Sequence, residues 1–311
     1  IDLSNKEKEI ALVEPEKCVV VMTEGGLVKR IPSSSFRTQR RNGKGIKTEN
    51  DVVSAVIRTN TIDSLMVFTN KGKMYRILVD NIPVGTNATK GQSLQSLIEI
   101  ESDEKPTLIY SIYRDTDASY VLFATKNGIV KKTSLEEYIK TKKKTGLAAI
   151  NLRENDSLAS VNLIKDEDIL LITKKGMMIR FASSEITSSS RATMGMKGIN
   201  LADGDEVVSA LPVRHEDDQI AIVSEKGLGK KISLKEAIKQ KRAGKGLICY
   251  KPTDVSGEVI GASLISDEDS ILLVGVPNSI CISAKDIPLQ GRNAIGNQLI
   301  KHGNISSITK V

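Results

Sequence analysis

The chain has 311 residues, is 40% hydrophobic and 3% aromatic, and carries 45 Lys and Arg against 38 Asp and Glu, a formal net charge of +7. That balance describes a globular chain with a sizeable core, not a disordered one. Cys18, Cys249 and Cys281 are too few and too far apart for a disulfide framework or a zinc site, which points to reduced thiols in a cytoplasm.

The start, "IDLSNKEKEI", is polar, with no secretory leader and no initiator Met, so the sequence reads as a piece of a longer polypeptide. No apolar run approaches the roughly 18 residues that would argue for a membrane span. From Lys17 onward a unit repeats. An apolar run leads into Thr/Ser-x-x-Gly and then a basic residue, in "VVVMTEGGLVKRI", "LMVFTNKGKMYRI", "YVLFATKNGIVKKT", "ILLITKKGMMIRF" and "IAIVSEKGLGKKI". The turn glycines are Gly26, Gly72, Gly128, Gly176 and Gly227; a sixth copy, "ILLVGVPNSICIS", has Asn278 there, a residue that also tolerates positive φ. A second glycine follows in each copy: Gly45, Gly91, Gly146, Gly198, Gly246 and Gly296. Each apolar run predicts a buried strand, the glycine a tight hairpin, and stretches such as "DVVSAVIRT" and "DEVVSALPV" further strands. "SLEEYIK" and "SLKEAIK" predict short helical pieces at matching points. Four strands in each of six units is the arithmetic of an all-β ring of blades. The expected blades are approximately 18–63, 64–119, 120–167, 168–218, 219–268 and 269–311 of one domain, with residues 1–17 contributing to closure or acting as a linker.

The charges follow the repeat. The residue four after each turn glycine is basic in five copies, Arg30, Arg76, Lys132, Arg180 and Lys231, and Lys29, Lys131 and Lys230 precede three of them. The sixth copy has Ile282 at this spacing, and its last stretch carries only Lys285, Arg292, Lys301 and Lys310, which predicts the weakest charge at the last blade. Equivalent positions in a ring predict an outer belt of cations, reinforced by Arg40, Arg41 and Lys44, by Lys142 to Lys144, and by Lys241, Arg242 and Lys245. The acidic triplets at 166–168, 216–218 and 267–269 fall before the first strand of a copy, which predicts that the two signs are segregated. A curved basic belt suits duplex DNA, bound through phosphates rather than bases. Ten aromatics and no Trp disfavour a single-strand stacking platform, and the absence of an amphipathic helix disfavours a membrane surface. No catalytic constellation or phosphate-binding loop is present, and His215 and His302 lie in polar surroundings.

Between Gly25 and Thr48 there are seven Lys or Arg and no acid, centred on "QRRNGKG". This heptapeptide resembles the gyrase box, Gln-Arg-Arg-Gly-Gly-Lys-Gly, of the C-terminal DNA-wrapping domain of the bacterial DNA gyrase A subunit. "TEGGLVKR", "FTNKGKMYRI", "ATKNGIVKKTSLEEY" and "VSEKGLGKKISLKEA" are similar to that family's blade repeat. The resemblance implies a six-bladed β-pinwheel with duplex DNA wrapped positively around its rim. It makes Gln39, Arg40, Arg41, Asn42, Gly43, Lys44 and Gly45 the box, with Asn42 in place of the family's glycine. It implies no cofactor and no catalysis in this domain; ATP and Mg belong to other parts of the parent enzyme, which also comprises the ATPase B subunit together with the rest of the A subunit. The topoisomerase IV A subunit, whose box is degraded, is an open alternative, and a propeller-type protein-interaction platform is another. A bacterial, nucleoid-associated location follows from the resemblance.

Overall fold

The structure, a computed structural model, describes residues 13–311 except 37, 42–45, 48–52, 87, 140–145, 277, 302 and 303. Asn42 to Gly45 of the box, Lys142 to Lys144 and His302 therefore lie outside the described residues, as do residues 1–12 of the expected closure segment.

The apolar runs form strands because both of their faces are buried. In Lys17–Thr23, Cys18, Val20 and Met22 join one apolar cluster, while Val19 and Val21 join another on the opposite side. A strand buried on both faces reads as a continuous apolar run instead of an alternation. Each run turns at its Thr/Ser-x-x-Gly. The glycine N–H donates to the Thr or Ser carbonyl, at 2.9 Å for Gly26 on Thr23 and 3.0 Å for Gly227 on Ser224. The five turn glycines have φ between +70° and +80°, the left-handed region that glycine alone enters freely. In three hairpins the Thr hydroxyl also accepts the N–H of the returning strand, as Thr173 does from Met177 at 3.0 Å.

Six antiparallel four-stranded sheets result. In chain order their hairpins are Lys17–Thr23 with Leu27–Pro32, Ser64–Thr69 with Lys73–Leu78, Tyr120–Thr125 with Ile129–Ser134, Asp168–Thr173 with Met177–Ala182, Gln219–Ser224 with Leu228–Ser233, and Ser270–Val276 with Asn278–Ser283. The inner strands are Val53–Asn60, Pro106–Ile112, Leu158–Ile164, Val207–Val213, Val259–Ile265 and Asn304–Lys310. Each touches the next, and the last touches the first, which closes the ring around a central channel. The six apolar clusters lie between neighbouring blades, so no blade has a core of its own.

The fourth strand of every sheet comes from the following repeat. Gln92–Ser93, Leu147–Ala148, Met196–Lys197, Leu247–Ile248 and Asn297–Gln298 add to the outer edges of blades 1 to 5, and Ile46–Lys47 of the first repeat adds to blade 6. The expected blade boundaries are thus interleaved by one short strand each. This exchange explains the second glycine of the repeat: Gly91, Gly146, Gly246 and Gly296 each abut the preceding blade. It also corrects one assignment. In the fourth copy the residue leading into the exchanged strand is Gly195, at φ +88°, and Gly198 is the residue beyond it, whose N–H donates to Gly128. Leu94, Cys249 and Leu299 make the same bond to Gly26, Gly176 and Gly227.

The sixth hairpin is a second correction. Asn278 pairs with Lys47 just as Leu27 pairs with Ser93, so it is the first residue of the returning strand and not the turn position. The hairpin is one residue shorter than the others. Leu272 therefore faces Cys281, where Ala221 faces Lys231, and Cys281 takes the place of the repeated cation. The expected helical pieces are a four-residue helix, Glu136–Ile139, and a 3-10 turn, Leu234–Glu236.

Candidate nucleic-acid interface

The repeated cations point into the joints between repeats, not out from the rim. Register places Arg30, Arg76, Lys132, Arg180 and Lys231 at one position of the returning strand. Arg180 is 9% exposed, holds Asp168 at 2.9 Å and forms a forked pair with Glu216. Lys231 is buried and reaches Asp267 at 2.9 Å; Arg30 reaches Asp80 at 2.9 Å and the Ile82 carbonyl at 2.8 Å. Lys132 is buried, donates to the Ser183 carbonyl at 2.9 Å and lies over the Tyr120 ring. Arg76 is the exposed member, its guanidinium 3.4 Å from the Ile139 carbonyl.

The expected belt is therefore corrected at this position: Arg180 and Lys231 are tied to acids of their own repeats, and Arg30 and Lys132 to groups of the next repeat. The expected segregation of signs is corrected with it. A residue four steps back along the returning strand lies beside the start of the first strand, where the acidic triplets are. Asp168, Glu216 and Asp267 sit there as partners of the cations.

The preceding position is more enclosed still. Lys131 and Lys230 are 1% and 0% exposed. Lys131 donates to the Ala149 carbonyl and the Thr133 hydroxyl, both at 2.8 Å, and lies 5.0 Å from the centre of the Phe123 ring. Lys230 donates to the Gly291 and Arg292 carbonyls at 2.7 Å beside Tyr250. Burial pushes both amines down to about 8. Lys29 reaches the Thr89 carbonyl at 2.6 Å. These lysines fasten chain segments that border the joints.

The outer surface is formed by the loops that precede the exchanged strands. Their anchoring repeats. The N–H of the first loop residue donates to the carbonyl of the staple position in the preceding blade: Gly85 to Arg30, Ser189 to Lys132, Gln240 to Arg180 and Gln290 to Lys231, all at 2.8–2.9 Å. Gln39 donates to Cys281 at 2.7 Å. Gln39, the first residue of the box, is therefore anchored as the first residues of these other loops are, at the joint between blade 6 and blade 1.

What distinguishes the box is the state of its arginines. The third loop residue is Arg191, Arg242 or Arg292 at three other joints, and each is tied to a glutamate of the preceding blade. Arg191 lies 3.8 Å from Glu137, and Arg292 lies 3.3 Å from Glu236. Arg242 donates its N–H to the Glu185 carboxylate at 2.9 Å and its side chain to the Glu185 and Lys197 carbonyls. Arg41 is exposed and makes no ion pair among the described residues, and the same holds for Arg40. Lys241 and Lys245 are likewise exposed and, among the described residues, unpaired. The sequence signal for the pinned arginines is the Glu that ends or lies within each short helical piece; it is hard to read because its partner is more than 50 residues away.

Among the described residues no group of His, Cys, Asp and Glu is placed to hold a metal ion, and no helix is long and apolar enough to cross a membrane. The three cysteines are free and buried.

The model of the DNA gyrase C-terminal domain, beta-propeller, matches residues 19–60, 63–105, 119–165, 167–214, 218–266 and 282–306. The DNA gyrase A subunit of Lawsonia intracellularis is 35% identical over 96% of this chain, which spans 37% of that relative's length. A solved DNA gyrase A C-terminal domain superposes with a TM-score of 0.85 at 29% identity, covering 95% of this chain and 99% of that one. A solved C-terminal domain of DNA topoisomerase IV superposes with a TM-score of 0.72, also at 29% identity, covering 96% of this chain and 94% of that one. With six matched segments falling on six interleaved blades, the chain belongs to the DNA gyrase C-terminal domain, beta-propeller, family.

Proposed function

We propose that this chain binds duplex DNA around its outer rim, holds it in a positive wrap, and presents the transported segment to the rest of a gyrase A subunit for ATP-dependent negative supercoiling. The observation that carries this reading is the pair of exposed arginines, Arg40 and Arg41, without an ion pair among the described residues, on the outer loop of the joint that closes the ring. Exposed arginines without an ion pair among the described residues, in a chain poor in aromatics, suit phosphates. Such a wrap would rest on backbone contacts and DNA deformability instead of base readout. ATP and Mg would act in other domains, in partnership with the B subunit together with the remainder of the A subunit.

A decatenating topoisomerase IV A subunit is the second reading, favoured by Asn42 in place of the usual glycine. The two separate in one experiment. A singly nicked plasmid is incubated with the chain at low salt, the nick is ligated, the protein is removed, and the linking number is read on a gel. A protein-dependent positive shift supports the wrap. Tight binding with no shift would overturn it in favour of the second reading. Absence of binding at low salt would remove DNA altogether.

A further inference from the structure

The central channel carries a pair of cations apart from those of the outer surface. The channel has a volume of about 630 Å3, the size of a small-molecule site, and all six inner strands line it. Register compares those strands place by place. Opposite Val19 of blade 1 stands Arg58, and opposite Ile271, at the equivalent place of blade 6, stands Lys310. The other four blades have Ser111, Leu163, Pro212 and Leu264 there. The strands Val53–Asn60 and Asn304–Lys310 touch, so the two cations of the set are neighbours across the joint that closes the ring. Both line the channel and both are half-buried.

Their neutralisation is incomplete. The Arg58 guanidinium makes no hydrogen bond or ion pair among the described residues. Lys310 reaches Asp269 only at 3.4 Å, and that carboxylate already accepts the Ser266 N–H at 2.7 Å and the Ser266 hydroxyl at 3.0 Å. Asp63, the acid among the described channel-lining residues, accepts the N–H groups of Asn60 and Arg114, each at 3.0 Å, and the Thr59 hydroxyl at 3.3 Å. Like charges side by side in a half-enclosed channel repel one another, and an anion held between them relieves the repulsion. The hydroxyls of Thr309 and Tyr113 line the same channel and can donate to it.

We propose that Arg58 and Lys310, on adjoining strands of blades 1 and 6, form a site in the central channel for a small phosphate-type anion, which fastens the joint between these two blades. The site lies inside the ring and does not depend on the rim-binding function proposed above. It is placed where the ring is least filled, for the apolar cluster of this joint is the smallest of the six among the described residues. An anion that accepts from both cations bridges the first and last blades and adds a tie there that the apolar core does not supply.

Calorimetric titration of the chain with inorganic pyrophosphate at constant ionic strength, together with amide exchange of the free and loaded chain, tests this. Binding should saturate at one anion per chain. Exchange should slow along Val53–Asn60 and Asn304–Lys310 and stay unchanged in the loops of the outer surface. Arg58→Gln removes a charge-assisted partner and should weaken binding about tenfold or more, while Arg58→Lys should keep the greater part of the affinity. Arg40→Ala/Arg41→Ala should leave the affinity at its wild-type value. ADP is the second probe: tighter binding than pyrophosphate would identify a nucleotide held by its diphosphate, and equal or weaker binding a free anion, either of which supports the site. Saturable binding of neither probe would overturn the proposal. So would slowed exchange in the outer loops in place of the inner strands, or wild-type affinity in Arg58→Gln.

Discussion

Gly246→Ala should cost about 2–4 kcal/mol of stability, and the structure says where. Gly246 has φ +78°, a conformation that costs an L-residue with a Cβ about 1–2 kcal/mol. A Cβ there would lie 2.3 Å from the Met178 carbonyl oxygen and 2.9 Å from its carbon. Both are backbone atoms in the middle of a hairpin and cannot move aside as a flexible side chain would. The exchanged strand Leu247–Ile248 must therefore back away from blade 4. That strand pairs with Met177 and Met178, and just beyond it Cys249 and Tyr250 donate to the Gly176 carbonyl at 2.8 and 3.2 Å. Loss of one or two such bonds adds about 1 kcal/mol each. Urea denaturation measures the total, and amide exchange should show faster opening at Leu247 to Tyr250 than elsewhere. Gly291→Ala is the matched control, because a Cβ there meets nothing within 4 Å and φ is not positive; it should stay within about 0.5 kcal/mol of wild type. Gly246→Ala within the same margin would refute the argument that close approach of exchanged strand and hairpin is what this glycine serves.

Lys230→Met should change the response to alkali. The folded amine sits at about 8, below its ordinary 10.5, so between those values the unfolded chain binds the extra proton and wild type gains stability with rising pH relative to the variant. From about pH 7.5 to about 9.5 that gain should be about 2 kcal/mol by denaturant titration, and a pH-independent difference would contradict it. Arg180→Leu should destabilise by about 1–3 kcal/mol, since it strands the mostly buried Asp168 with Lys239 alone. Burial would raise the Asp168 carboxyl, but Lys239 and Arg180 outweigh it and hold it below the ordinary 3.8. The stability this supplies is present above the unfolded value and lost as pH falls through the folded one. Wild type and variant should therefore converge in acid, and a gap that persists would place the effect in packing instead.

Much of the architecture is legible in the sequence because its signals are local. A glycine that must take positive φ recurs in five hairpins with Thr or Ser three residues before it, and runs buried on both faces recur ahead of it. Those two features give blade number, hairpin positions and the all-β class. The exchanged strands are not legible, for each is two residues long and carries no periodicity; only their glycine betrays them, and in the fourth copy the spacing points to Gly198 where Gly195 leads into the strand. The direction of the repeated cations is the larger departure. Spacing along the chain places Arg180 and Lys231 correctly in the repeat. Whether such a side chain meets solvent or a carboxylate depends on what a distant stretch of chain brings alongside, and Glu216 lies 36 residues from Arg180.

The sequence by itself thus determined the ring of hairpins, because backbone conformation and strand burial are written within a dozen residues. Only the tertiary structure decided which cations are spent as staples inside the joints and which remain on the rim. Coulombic pairing acts over a few ångströms in space, and it is the fold of blade 4 and its connection to blade 5 that puts Asp168 and Glu216 on Arg180, while Arg40, Arg41, Lys241 and Lys245 are left exposed.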